Sequence, residues 1–149
     1  MATQLHTEIT IAAQAERVWE VLTTFERYPE WNPFISSITG KTEVGSRLVA
    51  RLNAGGRQMT IRPRLLAADR PRELRWRGSL GIPGLFDGEH RFRLEPAGAG
   101  SVRFIQEERF SGVLAPLVLR FIGEETRQGF EAMNDALKAR AEQAQPAMG

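Results

Sequence analysis

The sequence predicts an α+β fold: a curved antiparallel sheet wrapped around one long C-terminal helix. Three observations carry this expectation. The chain opens with an alternating strand and a short helix, continues through a long run of alternating segments, and ends in about thirty residues of helical periodicity. Each strand segment has one apolar face. The last helix has a single apolar stripe to lay against those faces.

The elements follow in order. Residues 5–11 alternate, with Leu5, Thr7, Ile9 and Ile11 on one side. From Ala15 the period becomes helical and aligns Val18, Val21 and Leu22, with Trp19 read as structural. Tyr28-Pro29-Glu30-Trp31-Asn32-Pro33 closes that helix, because a proline disfavours helical geometry in the residue before it. A second short helix or turn fits there. Strands follow over 35–42 and 47–53, the latter pointing Leu48, Ala50 and Leu52 inward. Gly55-Gly56 marks a tight hairpin that sets Leu52 across from Met59 and Ala50 across from Ile61. The fourth strand carries Met59, Ile61 and Leu65 inward. Pro63 interrupts it, since proline cannot donate to a ladder, and argues for a bulge or an edge. Leu74, Trp76, Gly78 and Leu80 form the next inward set.

The last hairpin can be registered by charge. A loop at Gly98-Ala99-Gly100 sets Glu89 opposite Arg109, Arg91 opposite Glu107 and Glu95 opposite Arg103. A two-residue slip would oppose Glu89 to Glu107 and Arg93 to Arg103. Each cross-strand pair is worth about 0.2–1 kcal/mol, so the attractive register wins. It places His90 across from Glu108 and Phe92 across from Gln106, on the inner face. Residues 114–144 then read as helix, with Leu119, Ile122, Thr126, Phe130, Met133 and Leu137 as its stripe. Residues 1–144 are expected to form one domain, and 145–149 a frayed tail.

Composition excludes several functions. With no cysteine among 149 residues, disulfides, thiolate metal sites and cysteine nucleophiles are out. Two histidines, His6 and His90, make a multi-histidine metal site unexpected, and no metal or cofactor is expected. The basic residues interleave with acids rather than forming a stripe, which argues against nucleic acid. No run approaches the roughly 18 apolar residues of a membrane span, and the start does not read as a signal peptide. A cytoplasmic protein is the expectation. Walker, dinucleotide and nucleophile-elbow sequences are absent.

Ala15-Glu16-Arg17-Val18-Trp19, Tyr28-Pro29-Glu30-Trp31-Asn32-Pro33, Val44-Gly45-Ser46, His90-Arg91-Phe92-Arg93-Leu94 and Glu108-Arg109-Phe110-Ser111-Gly112 occur in the order seen in one superfamily. With them the chain resembles the START/SRPBCC (birch-pollen-allergen-like) proteins, and most of all the bacterial polyketide cyclase/dehydrase and lipid-transport branch. The resemblance implies a helix-grip fold, with seven strands around the C-terminal helix, two short helices after strand 1 and a hydrophobic cavity between sheet and helix. It implies no common reaction, because function belongs to sites rather than folds.

The candidate pocket residues are Trp31, Leu52, Met59, Ile61, Trp76, Phe92, Phe104, Ile122, Phe130 and Met133, with His90, Gln106 and Glu108 as polar groups on the greasy face. Three readings of His90 and Glu108 stand side by side. They are a structural bridge that fixes register, an anchor for a polar group on an apolar ligand, or an acid–base pair in a cofactor-independent cyclase or dehydratase, with His90 as the base, Glu108 its orienting partner and Gln106 the donor to a developing enolate. The expected partner is a small hydrophobic or aromatic ligand. Oligomeric state is not legible.

Overall fold

The computed structural model describes residues 4–143. β1 (Gln4–Ile11) leads into α1 (Ala15–Thr23), a 3-10 turn at Phe25–Arg27 and α2 (Tyr28–Trp31). Seven further strands follow: β2 (Ile35–Thr39), β3 (Val49–Ala54), β4 (Arg57–Ile61), β5 (Arg64–Asp69), β6 (Glu73–Ser79), β7 (Asp87–Pro96) and β8 (Val102–Ser111). The long helix α3 (Ala115–Glu142) closes the order. The tail expected at 145–149 lies outside the described residues.

The strands form two antiparallel sheets, β1-β8-β7-β6-β5 and β2-β3-β4. The expectation of seven strands is therefore corrected to eight, and Pro63 is the reason. The β3–β4 register pairs Ala50 with Ile61 and Leu52 with Met59, as the Gly55-Gly56 turn predicted. That register continues past Ile61: Leu48 N–H donates to the Pro63 carbonyl (2.8 Å), Leu65 N–H donates to Ser46 O (2.9 Å), and Arg47 bridges Arg64. Proline offers no N–H at this corner, so the ladder breaks there. Beyond it the strand pairs with β6 as β5. Gly78 on β6 lies against the Pro63 ring, close enough that a side chain there would press on it.

The β7–β8 hairpin has the charge-selected register, with Glu89 across from Arg109, Arg91 from Glu107 and Glu95 from Arg103. Arg103 reaches Glu95 at 2.9 Å, whereas Glu89 turns toward Arg75 and Arg77 on β6. His90 faces Glu108 and Phe92 faces Gln106.

α1 buries Val18, Trp19, Val21 and Leu22. The turn after α2 is held by Asn32, whose Oδ1 accepts from the N–H groups of Phe34 (3.0 Å) and Ile35 (2.8 Å). Buried Tyr28 donates its hydroxyl to Leu22 O, and burial pushes its phenol pKa up. α3 buries Thr126, Phe130, Met133, Asn134 and Leu137 against the concave face, while Leu119 and Ile122 stay half-buried. Among the described residues no helix is long and apolar enough to cross a membrane.

On the outer face, His6 sits between Glu8 (2.9 Å) and Glu107 (3.2 Å). The Glu8 hydrogen bond leads the causes that raise its pKa above 6.5. A histidine charged more readily in the folded state stabilises fully below its unfolded pKa and loses that contribution as pH rises through the folded value. We expect a thermal midpoint slightly higher at pH 6 than at pH 8.5, by an amount worth under about 1 kcal/mol for so exposed a group. His6→Gln should flatten this difference; an unchanged pH slope in the variant would assign it elsewhere.

Candidate functional site

Between the two sheets and α3 lies a narrow apolar hollow of about 610 Å³, its open mouth included. It is a slot rather than a sac. Leu52 and Ala54 of β3, Met59 and Ile61 of β4, Trp76 of β6 and Ile122 of α3 contribute walls, joined by Phe34, Phe86 and Phe110. Between the lining residues Phe86 and Gly88, Asp87 clamps the preceding loop by accepting from the Gly84 N–H (3.1 Å). The hydroxyl of Ser79 and that N–H hold the Asp87 carboxyl below its usual range.

Glu108 is the one ionisable side chain in the lining. It reaches the hollow because Gly88, diagonally across on β7, has no side chain: a Cβ there would collide with Glu108 Oε2. The other carboxyl oxygen, Oε1, lies 2.9 Å from His90 Nδ1. His90 itself is 3% exposed and packs among Trp76, Phe92 and Phe130, with ring centroids 5.7, 4.3 and 4.9 Å away. The carboxyl therefore faces the slot and the imidazole stands behind it.

Behind His90 runs a polar relay that ties both outer elements to the site. His90 Nε2 lies 2.9 Å from Gln106 Oε1. Gln106 Nε2 donates to the Phe130 carbonyl (3.2 Å) and to Asn134 Oδ1 (2.7 Å), and Asn134 Nδ2 donates to Thr7 Oγ1 (3.0 Å). A backbone carbonyl can only accept, so the Gln106 NH₂ must face Phe130 and its oxygen must face the imidazole. His90 Nε2 consequently carries a hydrogen. Gln106 is fully buried and Asn134 is 3% exposed, so breaking either link strands polar groups in an apolar interior.

Of the sequence-derived candidates, the structure brings Leu52, Met59, Ile61, Trp76, Glu108 and Ile122 to the slot. His90 and Gln106 lie behind it. Phe92, Phe104, Phe130 and Met133 are fully buried and do not line it, although Phe130 supports Phe34 edge-on at 5.3 Å. Trp31 lines a separate surface cleft with Thr24, Arg27 and Arg140. Phe34, Phe86, Phe110, Gly88 and Thr126 also line the slot, and Thr126 uses its hydroxyl to donate to Ile122 O (2.8 Å). Asn134 and Thr7 entered no sequence-level site. Thr7 was legible as a polar residue on an inward strand face. Asn134 was legible as an amide four residues after Phe130 and three before Leu137, inside the apolar stripe. No group of three metal-ligating side chains occurs among the described residues.

Known structures share this architecture. A START superfamily protein from Mycobacterium smegmatis superposes with a TM-score of 0.74 at 22% identity, covering 94% of this chain and 97% of the other. The Zhui aromatase/cyclase from Streptomyces sp. R1128 gives 0.75 at 19%, covering 98% and 97%. Norcoclaurine synthase from Thalictrum flavum, solved with dopamine and hydroxybenzaldehyde, gives 0.74 at 16%, covering 96% and 88%. At such identities the likeness shows the fold. No curated protein sequence matches significantly. The family described as polyketide cyclase/dehydrase and lipid transport matches residues 2–142, nearly the whole described chain. The chain belongs to that family.

Proposed function

We propose that the protein binds a small, flat, hydrophobic or aromatic molecule, lipid-like or polyketide-like, in the slot between the sheets and α3. The observation that carries this reading is the lining itself: aromatic and aliphatic walls with one ionisable group, Glu108, at a fixed place. Mostly apolar pockets obtain affinity from their walls and orientation from a few placed polar groups. Glu108 supplies that contact and His90 holds it in place.

A second reading is favoured by the carboxyl–imidazole contact. A cofactor-independent cyclase or dehydratase needs a base within reach of an acidic C–H or O–H. Glu108 Oε2 faces the slot and is the group so placed, with His90 backing it through Oε1. That order differs from the sequence-based expectation, in which His90 is the base and Glu108 its orienting partner.

Native mass spectrometry of freshly purified protein tests the first reading, since a retained ligand appears as added mass. With a ligand in hand, Glu108→Gln and His90→Ala should weaken binding while the fold persists by circular dichroism. Unaltered affinity in both variants removes the anchoring role. If the ligand is turned over, Glu108→Gln should lower kcat by about 10²–10⁴, the usual range for a general base. Normal turnover in that variant ends the enzymatic reading.

A further inference from the structure

Resting on the slot as the binding site, we propose that the relay behind it selects the polarity of the ligand: the group meeting Glu108 must be a hydrogen-bond donor, a hydroxyl or an N–H. The reasoning follows the hydrogens. The Phe130 carbonyl and Asn134 Oδ1 hold the Gln106 NH₂, so Gln106 Oε1 can only accept from His90 Nε2. With its hydrogen committed there, a neutral His90 presents a bare lone pair at Nδ1. The 2.9 Å contact with Glu108 Oε1 then contains one proton, placed in one of two ways. Either Nδ1–H of an imidazolium donates to a carboxylate, or the Oε1–H of a neutral acid donates to Nδ1.

In both placements Glu108 Oε2 carries no hydrogen. It lies over Gly88, beside the slot, and no described residue donates to it. The arrangement with the same number of protons and the opposite polarity would put hydrogen on Nδ1 and on Oε2. It would also leave Nε2 bare against Gln106 Oε1, two lone pairs facing each other in a buried contact, which is costly. Gln106, locked by the Phe130 carbonyl and supported by Asn134, forbids it. Gln106 and Asn134 are thus positioning residues for ligand polarity although neither lines the slot. A carbonyl or ether oxygen against Oε2 meets an acceptor and is disfavoured.

Three probes of nearly equal shape test this: 2-naphthol, which donates, 2-methoxynaphthalene, which only accepts, and naphthalene. Titration calorimetry should show 2-naphthol binding about ten- to a hundredfold more tightly than the ether, because in either placement Oε2 accepts from the hydroxyl but faces only a second acceptor in the ether. In Glu108→Met the preference should vanish while naphthalene binding persists. If that variant does not fold, Glu108→Gln should shrink the preference to a few-fold. Long-range ¹H–¹⁵N spectra should independently show hydrogen on His90 Nε2. Equal or reversed binding of naphthol and ether overturns the polarity proposal and leaves the slot as a ligand site. An observed bare Nε2 also overturns it. If none of the three probes binds, the slot reading falls and the proposal with it.

Discussion

Phe130→Ala is expected to destabilise the protein by about 3–5 kcal/mol, the range for removing a buried phenyl ring. Phe130 is fully buried on the concave side of α3 and touches residues from both sheets' surroundings. It meets Phe34 at 5.3 Å on the segment before β2 and His90 at 4.9 Å on β7. Removing it opens a cavity between α3 and both sheets. The seam beside it is closely packed: Gly129 lies so near the Phe34 ring that a side chain there would collide with it. For a chain of this size each kcal/mol moves the thermal midpoint by about 2–4 °C, so a fall of roughly 10 °C or more should appear in calorimetry. A loss below about 1 kcal/mol would mean that α3 is not anchored through this ring.

Gln106→Leu should cost about 2–6 kcal/mol even though it replaces an amide by an apolar group of similar size. The volume is nearly conserved, so packing is not the source. The substitution leaves His90 Nε2–H and Asn134 Oδ1 without partners in a dry interior, at about 1–3 kcal/mol each. Asn134→Leu should cost less, because Gln106 keeps the Phe130 carbonyl. The double variant is the discriminating one. Removing both amides together should be cheaper than the sum of the singles by at least about 1 kcal/mol, since groups in one hydrogen-bond network couple. Urea denaturation of the four proteins measures the difference; additivity within about 0.5 kcal/mol would show that the amides act independently.

The two variants bear on different layers of the molecule, and those layers were unequally legible. Period and turn chemistry are local, so the chain order exposed them: the α1 stripe, the Gly55-Gly56 hairpin and the long apolar face of α3. The β7–β8 register was legible because charge pairs on its outer face favour one alignment, and that alignment forced His90 opposite Glu108. Pro63 signalled a break. Whether the break was a bulge, an edge or a corner depended on β6, which pairs with the strand only beyond that point.

Pairing across a hairpin states which residues are neighbours and leaves open which of them meets the hollow. Glu108 faces it because Gly88 leaves room diagonally across and because Trp76, Phe92 and Phe130 enclose His90. Phe92, Phe104 and Met133 share the inward face with the slot residues, yet the curvature of the sheets packs them into solid core. Trp31, the last residue of α2, lines a different surface cleft.

By itself the sequence determined the element order, the last hairpin's register and the presence of an imidazole facing a carboxyl, all consequences of periodicity and nearest-neighbour charge; the helix-grip class was implied by the family resemblance. Only the tertiary structure decided how narrow the hollow is, which of the two groups borders it, and that Asn134 and Thr7 complete the relay. Those outcomes depend on how α3 docks across β8, β3 and β1, the last of them more than a hundred residues away in the chain. Side-chain packing between such distant segments sets that docking, and no local pattern encodes it.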